Sequence, residues 1–308
     1  MQKWAAVIGS PIDHSLSPVL HQTAYEILGL DWQYRKYQVE VETLPAFFSD
    51  LDEQCVGLSV TAPLKRAVLG EVDAADGLAK LVASANTVVF SSAMSAAFNT
   101  DVQGIVETLK PTVKGPAASQ EEGESVVEGS IVYEKDLHLH REPLAEEDGS
   151  APVVFGTGAT ACSTMAALRT LGFHRVNLVG RSFAGPDNAF MRGLDVGLDV
   201  RAVPISNLAS VASVVGAAPV VVSTIPPQVA AGLAPNLRAG EGATLLDVTY
   251  AGGASPLAGL FEAAGGFVAS PLSMLTHQGI AQVKLMTNRD VPYEPVFDAV
   301  LTAAGSSE

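Results

Sequence analysis

The feature that most constrains the fold of this chain is a regular alternation of short apolar runs and helical periodicities between Val153 and Ala269. Strand patterns lie at Val153 to Phe155, Val176 to Val179, Val200 to Pro204, Val220 to Ser223, Thr244 to Val248 and Gly266 to Ala269. Helix patterns fall between them at Ala161 to Leu171, Asn188 to Leu194, Leu208 to Val215 and Pro256 to Ala264. Such β-then-α alternation predicts a parallel, doubly wound sheet of the Rossmann-like kind.

Residues 1 to 110 predict a second, compact α/β unit. Its strands are read at Trp4 to Gly9, Tyr34 to Val41, Val56 to Val60, Ala85 to Phe90 and near Ala97 to Asn99, with helices at Pro18 to Leu28, Leu44 to Leu51 and Ala67 to Ala74. Helical patterns at Met274 to Met286 and Pro295 to Ala303 end the chain. At 308 residues and 48% apolar, the sequence is long and hydrophobic enough for two cores.

A net charge of −15 would repel a phosphate backbone, so nucleic acid is excluded as a partner and a small-molecule substrate has to be held by local groups. Cys55 and Cys162 lie far apart, in neither a metal spacing nor a disulfide framework, which fits a reducing cytoplasm. The apolar stretch Ala5 to Ile8 is too short for a signal peptide, and no run approaches the ~20 apolar residues that cross a bilayer. A soluble cytoplasmic monomer or homodimer is expected.

Residues 115 to 150 interrupt both patterns. They carry ten acidic residues against Lys135 and Arg141, and read as an inserted, solvated excursion. Ser130 to Tyr133 and Leu137 to Leu139 could pair as a hairpin or remain disordered. His138 and His140 would share a strand face there, but a metal needs three or four ligands and no third is near, so no metal is expected.

Phe155-Gly156-Thr157-Gly158-Ala159-Thr160-Ala161 follows an apolar strand and opens a helix. Small residues in that turn let the main chain approach a pyrophosphate, and the helix N-terminus supplies free N–H groups. The next strand ends Leu178-Val179-Gly180-Arg181-Ser182, with no acid at its tip for a ribose 2′-hydroxyl. Arg181 suits a 2′-phosphate, so NADP is the expected cofactor. Gly156, Thr157, Gly158, Ala159, Thr160, Arg181, Ser182 and Thr224 form the expected binding set. Cys162, in the first turn of that helix, reads as a small packing residue.

At the other end, Gly9-Ser10-Pro11-Ile12-Asp13-His14-Ser15-Leu16-Ser17-Pro18 puts two hydroxyls on one loop before a helix. Ser17 also reads as an N-cap with Pro18 at the first helical position, whereas Ser15 has no such structural reading. Paired hydroxyls facing a helix N-terminus make a neutral clamp for the carboxylate of a small organic acid.

Six ordered motifs carry a resemblance to the shikimate dehydrogenases over nearly the whole chain outside the acidic excursion. They are P-I-x-H-S-x-S-P at 11 to 18, V-T-x-P-x-K at 60 to 65, A-N-T at 85 to 87, N-T-D-x-x-G at 99 to 104, D-x-x-Y at 247 to 250 and M-L-x-x-Q-G at 274 to 279. The resemblance implies reversible NADPH-dependent reduction of 3-dehydroshikimate to shikimate, on the route to chorismate and the aromatic amino acids. It implies that Ser15, Ser17 and Tyr250 hold the substrate carboxylate, and that Thr61, Asn86, Asp101 and Gln278 hold the ring hydroxyls. Lys65 and Asp101 become the catalytic pair. The chemistry asks for such a pair, because hydride delivery to a ketone leaves an alkoxide that a positioned ammonium can stabilise and protonate.

The implied architecture is a substrate-binding catalytic domain of residues 1 to 101, completed by 270 to 308, and a Rossmann-like NADP domain of 102 to 269, with a cleft between them that closes for hydride transfer. Ser59 stands where the family commonly has Asn, and Ala159 where its glycine loop usually has a further Gly. His14, His21 and His277 sit beside motif residues and are read as packing or helix-cap neighbours without a catalytic role. Two other readings stay open: a quinate/shikimate dehydrogenase using NAD, and a catalytically silent metabolite-binding homologue, against which the retention of Lys65 with Asp101 counts.

Overall fold

The structure is a computed structural model that describes residues 2–92, 94–112, 150–250 and 253–306. The acidic excursion, with its hairpin and its two histidines, lies outside the described residues. The chain divides into two compact units, residues 2–104 with 275–306, and residues 105–112 with 150–274.

The first unit is built on β1 (Trp4–Gly9), β2 (Gln33–Gln38), β3 (Cys55–Val60), β4 (Ala74–Ala75), β5 (Thr87–Phe90) and β6 (Ser95–Phe98), in the order β2-β1-β3-β5-β6-β4. Every residue of β1 is buried, as its unbroken apolar run requires, and it pairs in parallel with β2 and β3. On the outer flank β2 carries Gln33, Arg35 and Lys36, charged and polar side chains that keep a free edge from pairing with another chain.

Antiparallel pairing of β5 with both β3 and β6 makes this sheet mixed. Its helices are α1 (Ser17–Ile27), α2 (Leu44–Ser49) and α3 (Gly77–Leu81), followed by α4 (Asp101–Leu109), which begins in this unit. Helix periodicity predicted for Ala67 to Ala74 gives instead a 3-10 turn at Ala67–Gly70 and then β4. Gly70 and the acidic Glu71 and Asp73 on either side of Val72 disfavour a helix there, and only Val68 of the turn is fully buried.

The second unit is an all-parallel sheet of β7 (Val153–Phe155), β8 (Arg175–Gly180), β9 (Asp199–Pro204), β10 (Val220–Ser223), β11 (Thr244–Asp247) and β12 (Phe267–Ala269). The order β12-β11-β10-β7-β8-β9 is doubly wound, with the chain reversing direction across the sheet between β7 and β10. Its helices are α5 (Ala159–Thr170), α6 (Ala189–Asp195), α7 (Leu208–Ala217), α8 (Pro227–Leu233) and α9 (Ala258–Ala263). Nine consecutive residues of α5, Ala161 to Arg169, are buried, which its small side chains Ala161, Cys162, Ser163, Ala166 and Ala167 make possible.

Two final helices, α10 (Pro271–Thr287) and α11 (Tyr293–Gly305), end the chain. Gly279 lies inside α10, where an added Cβ would come within 2.5 Å of the Leu20 side chain on α1. A helix-interior glycine costs roughly 0.5–1 kcal/mol relative to alanine. Here it lets α10 lie close on α1. Among the described residues no helix is long and apolar enough to cross a membrane.

Candidate active site

In the first unit, strand register assembles the site. The hairpin of β5 and β6 pairs Thr87 with Phe98, and Asn86 N donates to Phe98 O at 3.1 Å, so the segments 85 to 87 and 99 to 101 come to lie side by side. On the other flank Val60 N donates to Asn86 O at 2.7 Å, setting the end of β3 beside the same asparagine. The turn that follows β3 is tied back by Ala85 N to Lys65 O at 2.8 Å. Three stretches distant in sequence therefore meet at Asn86.

Their side chains form one network. Lys65 Nζ donates to Asp101 Oδ2 at 2.6 Å, with side-chain exposures of 13% and 5%. Asn86 Nδ2 lies 2.8 Å from Asp101 Oδ1, 2.9 Å from Thr100 Oγ1 and 3.0 Å from Gln278 Oε1. Both carboxylate oxygens of Asp101 are thus met by donors, without which a buried ion pair does not repay its desolvation. Asp101 opens α4, where the helix dipole also favours a negative charge, and Asn99 Oδ1 accepts from Val102 N in the same turn. Among the described residues the ammonium's one hydrogen bond is to Asp101, which leaves two of its three N–H donors for another molecule.

The loop of Ser15 and Ser17 abuts this network through Ser10 N, which donates to Ala62 O at 2.9 Å. Gly9 permits that approach, since an added Cβ would stand 2.4 Å from Thr61 Cγ2 and 2.7 Å from Ala62 O. Thr61 is half-buried at the end of β3, its N–H bonded to Ile8 O. The capping expectation at Ser17 is corrected. Residue Leu16 occupies the N-cap position without a side-chain cap, Ser17 already belongs to α1, and Ser15 Oγ accepts from Ser17 N at 3.3 Å. Ser15 is thus the serine that serves the main chain of the helix start.

The neighbouring histidines differ from one another. His14 is exposed on the turn before Ser15, so it does not pack. Burial pushes His21 down to about 4 despite an opposing hydrogen bond to the Gln282 amide oxygen, and pushes His277, stacked on Tyr293 at 4.2 Å, down to about 4 as well. Both are neutral at pH 7 and unsuited to deliver a proton there.

In the second unit the glycine turn sits at the carboxyl ends of β7 and β10, at the point where the strand order reverses. Gly156 has φ +105°, and a Cβ there would meet Thr224 Oγ1 at 2.3 Å. Thr224 Oγ1 in turn donates to Phe155 O at 2.7 Å, which locks the base of the turn. Gly158 is exposed, with no atom within 4 Å of an added Cβ, and caps α5 without a side chain. Ala159 and Thr160 begin α5, whose first N–H groups lack intrahelical partners.

At the tip of β8, an added Cβ on Gly180 would lie 2.5 Å from Thr157 Cγ2, so Arg181 and Ser182 emerge directly beside the turn, both exposed. Open main chain, a helix start and an exposed guanidinium match the needs of a dinucleotide carrying a 2′-phosphate. All eight expected cofactor residues therefore lie at the same end of this sheet. Tyr250 is half-buried after β11, in a segment where Thr249 N and the Ser255 hydroxyl both bond to the buried carboxylate of Asp247.

Sequence reasoning passed over Thr87, Thr100 and Gln282. Thr100 N and Oγ1 donate to Asn86 Oδ1 at 2.8 and 3.1 Å, and Thr87 Oγ1 donates to it at 3.0 Å. The two threonines stand inside the motifs already quoted, and Gln282 repeats Gln278 at the i+4 spacing that shares one helix face.

Residues 7–88 match the family model described as the shikimate dehydrogenase substrate binding domain, and residues 272–301 that of the shikimate 5′-dehydrogenase C-terminal domain. The shikimate dehydrogenase (NADP(+)) of Citrifermentans bemidjiense is 31% identical, over 98% of this chain and 95% of its own. The enzyme of the same name from Methanothermobacter thermautotrophicus is 27% identical, over 96% and 94%. Among solved structures, shikimate dehydrogenase of Mycobacterium tuberculosis superposes with a TM-score of 0.79 at 34% identity, covering 97% of this chain and 99% of that one. Shikimate 5-dehydrogenase of Thermus thermophilus, in complex with NADP(H) and shikimate, superposes with a TM-score of 0.73 at 25% identity, covering 98% and 100%.

Proposed function

Because the chain belongs to the shikimate dehydrogenase family, we propose that it catalyses the reversible NADP-dependent reduction of 3-dehydroshikimate to shikimate, with Lys65 and Asp101 as its catalytic pair. The observation that carries this reading is the half-free ammonium of Lys65, 2.6 Å from a buried carboxylate whose second oxygen is held by Asn86.

Gly156 to Thr160 with Arg181, Ser182 and Thr224 would hold NADPH, which when bound would supply the hydride for the ketone carbon. The remaining work falls to side chains of the chain. As negative charge grows on the ketone oxygen, one free N–H of Lys65 points a positive dipole at it and then passes its proton, giving the secondary alcohol. Asp101 fixes the lysine's direction and restrains it from turning toward water. In the reverse direction a neutral Lys65 takes the hydroxyl proton as the hydride leaves. Thr61, Asn86, Asp101 and Gln278 are assigned to the ring hydroxyls, and Ser15, Ser17 and Tyr250 to the carboxylate. Each hydroxyl bonded by a buried polar group also selects against substrates that lack it, since such a group left unpaired costs about 1–3 kcal/mol.

The two-site division assigns NADP to the second unit and every proposed substrate group except Tyr250 to the first. The two buried free cysteines support a reducing, cytoplasmic setting and the net charge of −15 disfavours a nucleic-acid partner; a monomer or homodimer belongs to the same reading. Relatives named shikimate dehydrogenase (NADP(+)) favour shikimate over quinate and NADP over NAD. One spectrophotometric assay tests all of this, with shikimate and quinate each offered with NADP and NAD. The highest kcat/KM is expected for shikimate with NADP; absence of turnover, or a preference for quinate or NAD, overturns the assignment.

A further inference from the structure

We propose that Gln282 is a positioning residue for this reaction, one that sets the Asn86 amide on which the directions of Asp101 and Lys65 depend. The inference rests on the catalytic assignment above and deepens it.

Gln278 and Gln282 are one turn apart on α10, so their side chains share a face. Both are buried, at 8% and 1% exposure. They grip the same asparagine from two sides. Gln278 Oε1 accepts from its side-chain nitrogen at 3.0 Å, while Gln282 Nε2 donates to its main-chain oxygen at 2.8 Å. Gln282 Nε2 also donates to Thr87 Oγ1 at 3.1 Å, and that hydroxyl passes the bond on to Asn86 Oδ1 at 3.0 Å.

The orientation of the Gln282 amide follows from its partners, because a main-chain oxygen can only accept and so must face the nitrogen. Oε1 is then turned to Ser59 Oγ, which donates at 2.7 Å, and to His21 Nε2 at 3.1 Å. This fixes the His21 proton on Nε2 and leaves Nδ1 to accept from the Tyr25 hydroxyl at 3.4 Å. Tyr34 completes the chain, donating to Ser59 Oγ at 2.6 Å while its ring stacks on His21 at 4.1 Å. All four bonding positions of the Gln282 amide are used. Ser59, which departs from the family's usual asparagine, here has a defined task as a donor to Gln282.

A buried amide is a costly way to fill space, and an apolar side chain of equal length would pack without needing partners. What the amide adds is direction. The side-chain nitrogen of Asn86 has two protons and three acceptors around it, so a small rotation decides which of Thr100, Asp101 and Gln278 it serves. Thr100 N and Oγ1 hold the side-chain oxygen from one side; Gln282 adds the hold on the main-chain oxygen and, through Thr87, a third donor to the side-chain oxygen, and together these favour the setting that meets Asp101.

The test is steady-state kinetics of Gln282→Leu, alone and in an Asn86→Ala background, beside the wild-type chain. Alone, the substitution is expected to lower kcat/KM for shikimate about tenfold or more, because small misplacements of reacting groups are expensive, and to leave the KM for NADP unchanged. In the Asn86→Ala background it should change kcat/KM less than about twofold, since it acts through a side chain already removed. Native kcat/KM in a folded Gln282→Leu chain, or equal losses in both backgrounds, overturns the positioning role whatever the melting temperature does. Should Gln282→Leu not fold, Thr87→Val deletes only the hydroxyl between Gln282 and Asn86 and is read in the same two backgrounds by the same outcomes. A wild-type chain that does not turn over shikimate overturns the proposed reaction itself, a result separate from any behaviour of the variants.

Discussion

In the first unit the candidate site is a set of side chains, Lys65, Asp101, Asn86 and Gln278, that hold one another from separate elements, whereas in the second it is a stretch of main chain, Gly156 to Thr160, at a strand-to-helix turn. A side-chain site depends on long-range register, here the pairing of β5 with β3 and β6, and its groups are individually replaceable. A main-chain site depends on local geometry, and what matters there is the absence of atoms. The two should therefore fail differently when mutated, the first by losing chemistry and the second by losing room.

The sharpest break is expected at Lys65→Ala. It removes an interaction made mainly in the transition state, so turnover should fall by ~10²-fold or more while shikimate binding, measured by calorimetry, stays largely intact. Near-native turnover would sink the proton-transfer role.

Gly156→Ala probes the other kind of site. The new methyl meets Thr224 Oγ1, and a φ of +105° disfavours any side chain, so the turn has to shift. A rise of about tenfold or more in the KM for NADP is expected, with a stability loss of roughly 1–3 kcal/mol and unchanged affinity for shikimate. If the shikimate affinity falls as much as that for NADP, the separation of the two sites is wrong.

Arg181→Ala tests a side chain at the edge of the main-chain site. Its guanidinium is exposed, so the loss should be modest, about tenfold in the KM for NADP with little change for NAD. Equal changes for both cofactors would remove the 2′-phosphate assignment.

The same contrast explains what could be read in advance. The parallel sheet was legible because β7 and β10 bury both faces and print unbroken apolar runs at Val153 to Phe155 and Val220 to Val222, and the turn at Gly156 was legible because glycine marks it. In the first unit the motifs named Lys65, Asn86, Asp101 and Gln278, yet the chain order gave no sign that Asn86 is the hub. That depends on the Thr87 and Phe98 register and on Gly57, Ser59 and Val60 lying along β5. Gln282 escaped notice, and Ser59 stood out only as a departure from the family's asparagine, because a buried polar side chain looks the same in sequence as an exposed one. The helix read at Ala67 to Ala74 failed since apolar spacing over one turn does not separate a 3-10 turn from a helix.

The smallest expected effect sharpens the boundary between the two kinds of site. Ala159 is the first residue of α5, half-buried, and supplies the methyl that the usual glycine would lack. Ala159→Gly should cost less than about 1 kcal/mol of stability, because helix propensity counts least at the first position, and should change the KM for NADP by less than about twofold. The reasoning is spatial. Gly158, one residue earlier, is the position with open space around its Cα, whereas Ala159 already turns into the helix, where the free N–H of a helix start and not the side chain is the group expected to meet a bound anion. A tenfold change in that KM on removing one methyl would mean that the methyl touches the pyrophosphate, and the site of the second unit would then be defined by a side chain after all.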